Sequence, residues 1–264
     1  MRNIKLTVAY DGTDFCGWQY QPDVRTVQGV LTDALRKILH EQIVLTAASR
    51  TDAGVHAYGQ TVNFYTGNDI DLEKLLKGTN SRGPGDVSVL NAEEVDGEFH
   101  STFDAIGKHY RYTIWTGIAD NPLSRRFHWW YTYPVDTSAI NAAACHMAGT
   151  HDFKGLQVNS GKPQEETIRT VSRIQVTEEG EQLHIDIFGK GFMYKQVRSM
   201  VGLMMAAGRG KVDPDMVPEI IAGEPAKRYA DVAPPQGLTL IKVYYTPAPE
   251  LESKSITDKT DISG

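Results

Sequence analysis

Between Asn3 and Tyr10 the chain alternates: Ile4, Leu6, Val8 and Tyr10 on one side, Lys5, Thr7 and Ala9 on the other. That period of two predicts a half-buried strand. After the turn residues Asp11-Gly12-Thr13 and a loop rich in aromatics and glycine (15–20), the period changes. Val27, Val30, Leu31, Ala34, Leu35, Ile38 and Leu39 recur at helical spacing and predict an amphipathic helix. Ile43–Ala47 and Gln60–Thr66 read as strands, Leu72–Asn80 as a second helix and Val87–Leu90 as a strand beyond the Gly83-Pro84-Gly85-Asp86 turn. The order β-α-β-β-α-β is the split βαβ plan, a sheet with helices on one face.

The second half repeats the plan loosely. Tyr110, Tyr112 and Ile114 alternate with His109, Arg111 and Thr113 in a strand. Thr137–Met147 reads as a helix, Val171–Val176 and Leu183–Phe188 as strands, Phe192–Ala207 as a long helix with a Met/Val stripe, Pro214–Ala222 as a shorter one, and Leu238–Tyr245 as a last strand. The expected fold is therefore α+β: two ferredoxin-like halves, residues 1–104 and 105–246, with antiparallel or mixed sheets side by side and a cleft between them. Residues 247–264 are polar and are expected to form a disordered tail.

Composition adds exclusions. The chain has 264 residues, 41% hydrophobic and 23% charged, which is ordinary for a globular protein. Its two cysteines, Cys16 and Cys145, give neither a disulfide framework nor a metal-ligand spacing, which suits a reducing cytoplasm. The first ten residues lack the apolar core of a signal peptide, and the apolar run Val201–Ala207 is too short to span a bilayer. A cytoplasmic protein without membrane contact is expected. The net charge of −6 argues against a surface coated by nucleic acid but leaves room for a local basic cleft.

Candidate chemistry centres on the loop SRTDAGVHA, residues 49–57, which joins two predicted strands. Gly54 frees the backbone there, and Asp52 is a carboxylate on a rigid scaffold, although a turn aspartate can equally serve its own backbone. Lys108-His109-Tyr110-Arg111-Tyr112 interleaves aromatics with cations. Alternation puts both tyrosines on one face, either as core or as a platform on which a base stacks. In Lys190–Arg198, Tyr194 and Arg198 are spaced to share a helix face, and a cation near a helix start gains from a nearby carboxylate. His56 and His100 lack the further ligands a metal needs.

These blocks together resemble a known family. SRTDAGVHA, YDGTDFCGWQ (10–19), RTVQGVLTDAL (25–35), FHSTFDAIGKHYRYTI (99–114), KGFMYKQVRSMVG (190–202) and APPQGLTLIKVYY (233–245) are similar to the TruA-type tRNA pseudouridine synthases, from about Lys5 to Tyr245. The resemblance implies isomerisation of uridine in the anticodon stem-loop of tRNA, at roughly positions 38–40, by a homodimer that uses no cofactor and no metal. It assigns catalysis to Asp52 as nucleophile, Tyr110 as the tyrosine stacked on the target base and Arg198 as the partner of the aspartate. Arg50, Lys108, Arg111 and Lys195 are expected, with Tyr110, to contact the RNA. The sequence departs from the family at Ser49, where glycine is usual, and at Thr102, where arginine is usual. A non-catalytic RNA-binding module and a hydrolase of free nucleosides are the competing readings.

Overall fold

The computed structural model describes residues 1–158, 166–223 and 226–252. The first strand, β1 (Arg2–Tyr10), buries Ile4, Leu6 and Val8 completely, as its alternation requires. Helix α1 (Val27–Leu39) starts where the Thr26 hydroxyl accepts the Gly29 N–H, and ends at His40 in the left-handed region. The next elements are β2 (Thr46–Ala47), β3 (His56–Thr66), α2 (Leu72–Arg82) and β4 (Val87–Val95). Of the predicted Ile43–Ala47 strand only the last two residues join the sheet; Ile43 and Leu45 are buried all the same. β3 begins four residues earlier than predicted, at His56.

The second part runs β5 (Gly107–Trp115), β6 (Trp129–Trp130), α3 (Thr137–Met147), β7 (Gly149–Asp152), β8 (Ile168–Glu179), β9 (Gln182–Gly189), α4 (Gln196–Gly208), α5 (Val217–Ala222) and β10 (Leu238–Tyr244). Where the sequence predicts two adjacent sheets, the described strands form one mixed sheet. Its order is β4-β1-β3-β10-β5-β9-β8-β7, with β2 also on β3 and β6 on β5. The late strand β10 makes the join. It pairs parallel with β3 at His56 and Ala57, and antiparallel with β5 along most of its length. β2 pairs with β3 further along, at Val62 and Asn63. β1 occupies the other edge of β3, so β2 and β10 share one edge at its two ends. The SRTDAGVHA loop leaves β2 and enters β3 at that change of partner.

Helix α4 corrects its prediction. It starts at Gln196, not Phe192, because Lys195 sits at φ +59° and the Gln196 side chain accepts the Met193 N–H in a turn. All its residues are buried, including Arg198. Tyr194 therefore precedes the helix and shares no helical face with Arg198, which lies in the first turn rather than the second. Of the expected tail, residues 253–264 lie outside the described residues. Its first residues are packed rather than disordered: Pro249–Leu251 forms a short 3-10 turn, and Leu251 covers Gly107 so closely that a Cβ there would lie 2.4 Å from its methyl. No helix among the described residues is long and apolar enough to cross a membrane.

Candidate active site

The loop between β2 and β3 is held from behind before any ligand is considered. Gly54 takes φ +78°, and the Val55 N–H closes a turn onto the Asp52 carbonyl at 3.2 Å. The Trp18 N–H donates to the Thr51 carbonyl at 3.1 Å, so the early aromatic-glycine segment backs the loop. His56, only 2% exposed, accepts the Gly12 N–H at Nδ1 and lies tilted against the Phe127 ring, centroids 4.8 Å apart. Burial lowers its pKa, so the ring is neutral at pH 7 and serves as a strut. His100 likewise accepts the Thr102 and Phe103 N–H groups in a turn.

Gln60 fixes the other side of the loop. It is fully buried, accepts the Ser49 N–H at 3.2 Å and donates to the Ser49 carbonyl at 2.7 Å. The Tyr10 hydroxyl meets Thr51 Oγ1 at 2.8 Å. Both neighbours of Arg50 are thus tied to the sheet, Ser49 through its backbone and Thr51 through its side chain. Gln60 is not among the residues that the sequence motifs single out, although a signal is present. Its parity places it on the Val62 and Phe64 face, and an amide on a core face must find partners.

Held this way, Asp52 faces α4. Its Oδ2 accepts from Arg198 Nη1 at 3.0 Å, and both side chains are largely buried, at 15% and 10% exposed. Arg198 is itself braced. Its Nε donates to the Ala233 carbonyl at 2.7 Å, and its own carbonyl accepts the Ala233 N–H at 3.1 Å. Gly202, one turn along α4, allows this approach: a Cβ there would lie 2.0 Å from the Asp231 carbonyl oxygen. The carboxylate also compensates for a cation placed against the positive end of a helix.

The pair lines a cavity of about 680 Å³, a size suited to a nucleotide-sized ligand. Tyr110 forms part of its wall, with its ring edge-on to Phe192 at 5.5 Å and its hydroxyl 2.6 Å from Ser49 Oγ. Burial pushes this phenol up to about 12. Arg50, Lys108 and Lys195 line the same cavity. Burial pushes the Lys108 ammonium down to about 8. Four cations thus surround one carboxylate among the described lining residues, despite the acidic chain as a whole. Arg111 departs from expectation. It lies on the opposite face of β5, where it and His109 hydrogen-bond Asp186, and it does not line the cavity. The strand's own alternation separates it from Tyr110. Thr102 lines the cavity, but its hydroxyl is spent on the Ala47 carbonyl.

A largely buried carboxylate beside a guanidinium, an aromatic wall and a ring of cations suit a nucleotide, with a base to stack and phosphates to pair. Comparisons with known proteins narrow that reading. A family described as tRNA pseudouridine synthase matches residues 6–104 and 143–246. Asp52 and Arg198 lie within the matched segments, and Tyr110 lies in the interval between them. Among curated relatives, tRNA pseudouridine synthase A of Geotalea daltonii is 39% identical over 93% of this chain and 100% of its own length. The proteins of that name from Thermoanaerobacter sp. and Citrifermentans bemidjiense are 40% and 42% identical, over 93% of this chain and 100% and 98% of their own. The chain belongs to the tRNA pseudouridine synthase family, and it is an isomerase that converts uridine to pseudouridine in tRNA.

Proposed function

We propose that Asp52 is the nucleophile of this isomerisation, that Tyr110 receives the target base, and that the target lies in the anticodon stem-loop of tRNA, at roughly positions 38–40. The ion pair between Asp52 and Arg198 inside the Tyr110 cavity carries the reading. Isomerisation breaks the bond from C1′ to N1, turns the uracil and rejoins C1′ to C5, with loss of the C5 proton. An ionised carboxylate can attack and then leave, whether its first bond is to C1′ or to C6. A guanidinium beside it favours the ionised form and fixes its direction. The detached uracil must not escape, and an aromatic wall retains it. With its phenol pushed up to about 12, Tyr110 is neutral in the free enzyme and acts first as wall and hydrogen-bonding group.

The target nucleotide must leave its stack, at a cost of a few kcal/mol that stacking and phosphate contacts offset. Arg50, Lys108 and Lys195 are the cations for those contacts, since none pairs with a carboxylate among the described residues. The reading extends to two halves of the chain, 1–104 and 105–246, on either side of the site, and to a cytoplasmic homodimer. Its test uses transcripts with a single uridine at each of the three positions. Pseudouridine is expected there and none from free uridine; turnover of free uridine would favour a nucleoside hydrolase or isomerase instead.

Binding should carry the signature of these cations. Each phosphate contact contributes about −0.7 to −0.9 to the slope of log affinity against log salt, so three predict roughly −2 to −3. Because Lys108 is protonated only below about pH 8 in the free protein, affinity should fall as pH rises through that value. Titrations at several salt concentrations and pH values check both. A flat salt dependence, or the same pH step in Lys108→Met, would remove these residues from the RNA contacts.

A further inference from the structure

We propose that Ser49 is a positioning residue: its hydroxyl holds the Tyr110 phenol in register with Asp52 and so couples the base platform on β5 to the catalytic loop. The inference rests on the reading above and adds a residue to it. The bond is short, 2.6 Å between Ser49 Oγ and Tyr110 OH, and joins positions 61 residues apart. Both residues are buried, so neither hydroxyl can replace its partner with bulk water at no cost.

The anchor is rigid at its other end. Ser49 is gripped at both its N–H and its carbonyl by the fully buried Gln60. The same amide nitrogen lies 3.5 Å from the Tyr10 hydroxyl, which in turn meets Thr51. One side chain on β3 therefore reaches Ser49 directly and Thr51 through Tyr10, on both sides of Arg50 and next to Asp52. Among the described residues the Tyr110 hydroxyl makes one hydrogen bond, to Ser49, while its buried ring packs in the core with Phe192 edge-on. Phe192 belongs to the turn before α4, outside regular structure. Ser49 is thus the fixed point that sets where the phenol stands relative to the carboxylate three residues further along.

A hydroxyl that only stabilised the fold would act on unfolding. One that sets the geometry of a reacting base acts on the chemical step, because small displacements of a positioned group slow turnover. In full-length protein, Ser49→Ala should lower the single-turnover rate of pseudouridine formation about five- to tenfold, the loss of one hydrogen bond. The tRNA dissociation constant should stay unchanged, and the melting temperature should fall by no more than a few degrees, the cost of one buried hydrogen bond. In a Tyr110→Phe background, which lacks the partner hydroxyl, Ser49→Ala should have no further effect. Wild-type turnover with no loss in Ser49→Ala overturns the inference alone. So does an equal loss in both backgrounds, or a loss confined to stability. No turnover by wild-type protein overturns the reading of the site and this inference with it.

Discussion

Asp52→Asn is expected to abolish pseudouridine formation in a protein that still folds and binds tRNA, with a lower melting temperature because the buried Arg198 loses its counter-charge. The asparagine keeps the shape of the side chain and an oxygen for Arg198 Nη1, now 3.0 Å from Asp52 Oδ2. The turn beneath it uses backbone atoms only: the Asp52 carbonyl with the Val55 N–H, and the Thr51 carbonyl with the Trp18 N–H. What the substitution removes is the charge and the nucleophilic oxygen. Loss of a covalent nucleophile typically costs on the order of 10⁴-fold or more in rate. Single-turnover assays on tRNA, with binding and melting measured in parallel, separate this from misfolding. Turnover within a few-fold of wild type would mean that Asp52 only shapes the loop.

Arg198→Ala should damage both stability and turnover. The guanidinium holds two acceptors at once, the Asp52 carboxylate and the Ala233 carbonyl, in a largely buried position. Removing it leaves a nearly buried carboxylate without its counter-charge, and breaking such a pair costs about 3–5 kcal/mol when burial is complete. The pair keeps a little exposure, so the lower part of that range applies. For a chain of this size that corresponds to a fall in melting temperature of roughly 5–10 °C. Turnover should fall by about 10²–10³-fold at temperatures where the variant is folded, the usual effect of losing one positioned charged donor. Arg198→Lys should recover part of the stability and little of the rate, since an ammonium supplies charge without the fork that spans both oxygens. An Arg198→Ala protein with wild-type turnover would show that the ion pair serves packing alone.

Much of this arrangement was legible locally. β1 and α1 could be read because each carries a clean period over many residues, and burial of Ile4, Leu6, Val8, Leu31 and Leu35 follows that period. The break before α4 could not, because the apolar spacing of Met193, Val197 and Met200 runs straight through it. Only the left-handed Lys195 and the side-chain turn at Gln196 interrupt the helix. β6 and β7, of two and four residues, are too short to show any period. The joining role of β10 rests on pairing with strands more than a hundred residues away, which no local pattern encodes.

The site divides in the same way. Asp52 stood out as a carboxylate in a glycine turn, and Arg198 as a cation at a helix start in need of a partner. That the two meet is a matter of tertiary packing, made possible by Gly202 and the Asp231–Ala233 segment. Arg111 is instructive in the opposite sense. Alternation alone sets it against Tyr110, and the structure keeps it with Asp186, so parity outweighs charge in deciding which cations face the cavity.

The most direct test of the account is release of tritium from tRNA labelled at uridine C5, since only replacement of the C5 hydrogen by the bond to C1′ forms pseudouridine. Release by the wild-type protein is expected, and none by Asp52→Ala bound to the same tRNA. Release by Asp52→Ala at a rate near wild type would contradict it, because the reaction would then proceed without the carboxylate on which the whole reading of this cavity depends.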